Sequence, residues 1–124
     1  MGEIETFFFD SYAFFEILKE NPNYKKYNHL GIITTRLNLM ELHYGLLRFL
    51  GEKVAEEAYE NFNIYTIEIN DLVIKEANKF KLSHRKRKLS YVDCVGYIFA
   101  KMVGVKFLTG DKQFEDLDNV EFVR

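Results

Sequence analysis

LSYVDCVGYIFAKMVGVKFLTGDKQF, residues 89–114, is the stretch whose reading decides the fold. Ser90 suits an N-cap, and Asp93 three residues later completes a Ser-x-x-Asp capping box. Val92, Val95, Phe99 and Met102 recur at spacings of three and four, which predicts one apolar helical stripe. Gly96 and Ala100 stand four apart beside it. A mid-helix Gly costs about 1 kcal/mol against Ala, so its use is close packing on a neighbouring backbone. Gly104 stops the helix as a C′ glycine, residues 105–108 form a short strand, and Thr109-Gly110-Asp111 turns the chain at its carboxyl end. One carboxylate therefore opens the helix and another closes the strand.

Working outward, residues 4–9 (IETFFF) read as a buried strand, ended by Asp10 and Ser11. A helix over 12–19 follows and cannot pass Pro22. A short helix over 24–30 leads through Gly31 to a second strand at 32–34. The longest helix, 36–50, is closed by Gly51 and carries two apolar stripes. Leu39, Leu42, Leu46 and Phe49 form one, and Leu37, Met40, Tyr44 and Leu47 the other. One stripe faces a sheet; the second needs the following helix (52–62) or a partner chain as cover. Residues 64–67 read as a third strand. Asn70 caps a helix with Val73, Ala77 and Phe80 inside, which runs into His84-Arg85-Lys86-Arg87-Lys88. A helical turn through Phe114 and a last strand at 120–123 complete the chain. Strands alternating with helices predict a single α/β domain over 1–124, with a mainly parallel central sheet of about four to five strands flanked by helices.

Composition supports a packed globule: of 124 residues 48% are hydrophobic, with 12 Phe and 8 Tyr. A net charge of −2 offers no global attraction to nucleic acid, so any polyanion must be met by a local patch or by metal ions. The single Cys94 excludes an internal disulfide and fits a reducing cytoplasm. No apolar run reaches membrane-spanning length, and the first residues lack a signal-peptide pattern. Met1-Gly2 with Thr6 matches the myristoylation pattern only loosely, and a strand beginning at Ile4 argues against it.

In parallel α/β sheets ligands bind at the carboxyl ends of the strands. Asp10 and Asp111 follow strands, Glu41 lies about two turns into the helix after the second strand, and Asp93 opens the helix before the penultimate one. All four can converge on one rim. Singly, each has a structural explanation: Asp10 and Asp111 as N-caps, Asp93 in its capping box, Glu41 as a solvated helix residue. Jointly they repel, and a fold tolerates such a cluster when a cation such as Mg²⁺ or Mn²⁺ occupies it. His29, His43 and His84 lack metal-site spacing, Cys94 reads as a small core residue, and no phosphate loop or nucleophile elbow is present. The 84–88 run is either a solvated helix end or a contact for a polyanion.

The pattern resembles the PIN domain, and within it the VapC-type toxin branch. The resemblance is carried by Phe9-Asp10-Ser11, by Thr34/Thr35 with Asn38-Leu39-Met40-Glu41-Leu42, by Leu89-Ser90-Tyr91-Val92-Asp93, and by Leu108-Thr109-Gly110-Asp111 with Phe114. It implies a Rossmann-like three-layer fold and a metal-dependent endoribonuclease. Asp10, Glu41, Asp93 and Asp111 would hold one or two Mg²⁺ or Mn²⁺ ions, with Ser11 and Thr109 orienting the carboxylates. Arg85, Lys86, Arg87 and Lys88 would contact RNA phosphates. It further implies a homodimer and a small antitoxin partner. Two positions depart from the pattern: Gln113 stands where relatives often carry a second Asp, and Tyr12 where a small polar residue is common. Asp116 is a possible substitute for that missing acid. The alternatives are a PIN nuclease of RNA processing or of DNA structures, and a catalytically silent PIN-like binding module. A receiver-type phosphoacceptor switch is disfavoured, because its acidic pair and its Lys are not evident.

Overall fold

In the computed structural model, which describes residues 4–124, four short strands form one wholly parallel sheet: β1 (Thr6–Phe9), β2 (Gly31–Ile33), β3 (Lys106–Thr109) and β4 (Val120–Phe122). Their order is β2-β1-β3-β4, with Phe8 paired to Ile33 on one side and to Phe107 on the other. The helices are α1 (Ser11–Leu18), α2 (Arg36–Leu50), α3 (Glu52–Asn63), α4 (Asp71–Ser83) and α5 (Tyr91–Val103). Single 3₁₀ turns lie at Lys25–His29 and Lys112–Phe114. Met1 and Gly2, on which the myristoylation pattern depends, lie outside the described residues.

The aromatic run of β1 explains the three layers. Successive strand side chains point to opposite faces. Phe7 and Phe9, with Leu108, join a core completed by Ala13, Phe14, Leu39, Leu42, Leu46, Ala55 and Ala58 from α1, α2 and α3. Phe8 and Phe107 join a second core with Val73 and Ala77 of α4 and Val95, Tyr97 and Phe99 of α5. A sheet covered on both faces needs successive apolar residues, which Phe7, Phe8 and Phe9 supply.

Gly96 is placed by this second core. A Cβ there would stand 2.9 Å from the Phe8 ring and 3.2 Å from the Phe107 ring. The close approach is thus to aromatic rings, not to the backbone expected from the sequence. Gly104 takes a left-handed conformation, φ 79°, and ends α5 as expected.

Three expectations need correction. Residues 64–67 do not form a strand: only Thr34 and Thr66 make a parallel bridge, with Ile67 N donating to the Thr34 carbonyl at 2.9 Å. The partner runs out there, because β2 ends at Ile33 and Thr35 already caps α2. Phe49 is 72% exposed and leaves the inner stripe of α2, whereas Leu39, Leu42 and Leu46 are buried. Met102 likewise falls outside the buried face of α5. The second α2 stripe stays uncovered by α3 at Met40, Tyr44 and Leu47. Among the described residues no helix is long and apolar enough to cross a membrane.

Candidate active site

Asp10 sits where strand chemistry changes to helix chemistry. Its amide donates to the Leu108 carbonyl at 3.1 Å, the last rung toward β3, and its extended backbone then caps α1. Oδ1 accepts from the Ser11 amide at 2.9 Å, and Oδ2 accepts from Thr109 Oγ1 at 2.7 Å. The side chain is buried in the sheet's carboxyl edge. Burial first, and then the charges of Asp93 and Glu41, push its pKa up to about 8, against the opposing hydrogen bonds from Thr109 and Ser11.

Ser11, the next residue, reaches α2. Its hydroxyl donates to Glu41 Oε1 at 2.8 Å, with the Asn38 carbonyl at 3.1 Å as a second acceptor. Asn38 Nδ2 donates back to Ser11 Oγ at 3.2 Å, and Asn38 Oδ1 accepts from Thr35 Oγ1 at 2.6 Å. Thr35 Oγ1 in turn caps α2 by accepting from the Asn38 amide at 3.2 Å. The neighbouring Thr34 hydroxyl donates to the Phe9 carbonyl at 2.9 Å, which ties β2's end to β1's. Asn38 has no exposed surface, and it was quoted from the sequence without a role. Its signal was available: a polar amide amid a helix's apolar face needs partners, and Thr35, Asn38 and Glu41 repeat at three-residue spacing.

Asp111 and Asp93 are held locally. Asp111 Oδ1 accepts from the Gln113 amide at 3.0 Å, and the Asp111 amide donates to Thr109 Oγ1 at 3.1 Å. Asp93 Oδ2 accepts from the Ser90 amide at 2.9 Å while the Asp93 amide donates to Ser90 Oγ at 3.1 Å, a complete capping box. The structural roles expected of Asp10, Asp93 and Asp111 are therefore real, and they aim these carboxylates at one rim. One hydrogen-bonded chain runs Glu41–Ser11–Asp10–Thr109–Asp111. Asp93 faces it through charge alone: burial and then Asp111 hold its pKa up, and it in turn raises those of Asp10 and Glu41.

Lys81 of α4 acts on Asp93 by charge, lowering its pKa. Its ammonium donates to the Leu89 carbonyl at 2.6 Å. No pattern in the sequence singled it out among the outward lysines of α4.

The basic run is divided by its contacts. Arg87 forms a two-pronged pair with Asp116, both contacts 2.8 Å, and donates to the Gln113 carbonyl at 2.8 Å. That pairing holds the Asp116 carboxyl down at about 2, and it commits Asp116 to Arg87 rather than to the rim. His84 stacks on Phe80, with ring centroids 4.2 Å apart. Arg85, Lys86 and Lys88 are exposed. Gln113 clasps the Lys88 backbone: Oε1 accepts from its amide at 2.8 Å and Nε2 donates to its carbonyl at 3.1 Å. A carboxylate has no donor for the second bond, so an Asp there would not make this clasp.

The donor set suits a hard divalent cation, being all oxygen with raised pKa values at three of its four acids. Among the described residues, however, no three His, Cys, Asp or Glu side chains stand close enough to hold an ion directly. The rim therefore does not fit a closed protein cage.

The fold has counterparts among solved structures. VapC20 of Mycobacterium tuberculosis, a toxin that cleaves the sarcin–ricin loop, superposes with a TM-score of 0.75 at 16% identity, covering 92% of this chain and 98% of that one. The DNA-bound VapBC of Salmonella typhimurium gives 0.74 at 16% identity, covering 97% and 98%. A toxin–antitoxin complex from Klebsiella pneumoniae gives 0.71 at 15%, covering 92% and 94%. No curated protein matches in sequence. The family model of the PIN domain matches residues 7–120, nearly the whole chain, and with it the protein belongs to the PIN domain family.

Proposed function

We propose that this protein is a metal-dependent endoribonuclease that hydrolyses RNA phosphodiester bonds, and that it is the toxin of a toxin–antitoxin pair. The observation that carries the reading is the hydrogen-bonded chain from Glu41 through Asp10 to Asp111, facing Asp93 on one rim. Asp10, Glu41, Asp93 and Asp111 would hold one or two Mg²⁺ or Mn²⁺ ions, largely through water. When bound, such an ion supplies Lewis acidity and offsets charge building on phosphoryl oxygens. Ser11 and Thr109 keep the carboxylates of Glu41 and Asp10 turned toward the rim. Exposed Arg85, Lys86 and Lys88 supply attraction for the RNA backbone, while the Arg87 fork is engaged by Asp116.

The likeness to toxins solved with their antitoxins supports a small antitoxin partner, and the uncovered stripe of α2 supports a homodimer. The substrate and the lone reduced cysteine accord with a cytoplasmic setting. The test is incubation of purified protein with mixed RNA, in Mn²⁺ and in EDTA, beside Asp93→Asn. Cleavage is expected only with Mn²⁺, and the substitution should slow it about a hundredfold or more. Intact RNA in every lane would favour the silent binding module. The same preparation should scatter light as about twice 14.7 kDa and shift toward monomer with Tyr44→Glu. Replacing Lys86 and Lys88 by Gln should lower the salt slope of RNA binding by about 0.7 per lost contact.

A further inference from the structure

Tyr91 opens α5, two residues before Asp93, and its side chain is 66% exposed. It belongs to neither core. Lys81 Nζ stands 4.8 Å from the centroid of its ring. That ammonium does not swing freely, because it donates to the Leu89 carbonyl at 2.6 Å. An ammonium has three donors, so two remain for other acceptors. The same ammonium acts on Asp93. An exposed aromatic ring and an anchored cation set over it therefore lie together beside the acidic rim. Proteins that hold single-stranded nucleic acid combine these two features, an aromatic face for the base and a cation for the backbone.

We propose that Tyr91 and Lys81 form a subsite for one unpaired RNA nucleotide beside the acidic rim, the base stacking on the open face of Tyr91 and the neighbouring phosphate meeting Lys81. The assignment rests on the nuclease reading above, which brings an RNA strand to Asp93. The subsite requires the strand to be unpaired at this position, since a base already stacked within a duplex cannot turn onto the ring.

Binding without cleavage isolates the subsite. Short RNAs carrying 2-aminopurine at successive positions are titrated with protein in EDTA. The fluorophore is expected to be quenched at one position in the single strand and at none in the duplex. Tyr91→Phe should keep the quenching, and Tyr91→Leu should abolish it and weaken affinity about tenfold. Wild type that binds no single-stranded RNA, or Tyr91→Leu that binds and quenches like wild type, overturns the subsite. Cleavage in Mn²⁺ is scored separately. Quenching without cleavage would sink the nuclease reading and leave the subsite standing. Cleavage with kcat/KM unchanged by Tyr91→Leu would sink the subsite and leave the nuclease.

Discussion

The two halves of the acidic rim are held in place by different means. Asp93 and Asp111 accept from amides three and two residues away, so a short peptide could make either bond. Asp10 and Glu41 depend on partners 99 and 30 residues distant, Thr109 and Ser11, and on the buried amide of Asn38 between them. The local half is cheap to fix and remains partly open to water. The distant half exists only once β1, β3 and α2 have met, and that meeting is what buries Asp10. Local bonds thus set direction, while burial by distant segments raises the pKa.

The largest expected effect breaks the distant half. In metal-free protein Asp10 keeps its proton up to about pH 8, whereas in the unfolded chain it ionises near 3.8. Its raised folded value means that no penalty exists below pH 4. Stability falls as pH rises from about 4 to 8, and the penalty levels off above that. Asp10→Asn should make the stability–pH profile in EDTA visibly shallower across this window, as read by denaturant melts. A profile as steep as wild type would show that Asp10 does not carry it.

Next in size is Asn38→Ala. It strips Thr35 and Ser11 of buried partners and should cost about 2–3 kcal/mol, roughly alike in EDTA and Mn²⁺. A loss below about 0.5 kcal/mol would mean that the two hydroxyls find other partners, and that the distant half is less interdependent than its geometry indicates.

The smallest effect sharpens the contrast at Asp93. As a capping acid alone, Asp93→Asn should cost about 0.3–1 kcal/mol in either buffer. As a member of a repelling cluster, it should leave metal-free protein equally stable or firmer, and should gain less from millimolar Mn²⁺ than wild type does. Four thermal melts decide between the two roles, and equal destabilisation in both buffers removes Asp93 from the metal site.

Much of this was legible in residue order, because the relevant physics is local. The Ser90–Asp93 box, the stop at Gly104, the cap at Asn70 and the apolar stripes all rest on near neighbours in the chain. Asp10, Asp93 and Asp111, read from such signals as capping acids, do cap their helices. The same local logic failed where a partner was missing or unforeseen. Residues 64–67 have strand composition, yet β2 ends before it can pair with more than one of them. Arg87 reads as part of a free basic run, yet Asp116, 29 residues on, occupies its fork.

By itself, then, the sequence determined the succession of helices, the caps at Ser90 and Asn70 and the stop at Gly104, since each follows from contacts between near neighbours in the chain. Only the tertiary structure decided that Asp10 is buried with its pKa raised, that Asn38 joins two helices, and that Lys81 lies against Tyr91. Burial and charge coupling depend on which distant segments come within a few ångströms of one another, and no local pattern encodes that distance.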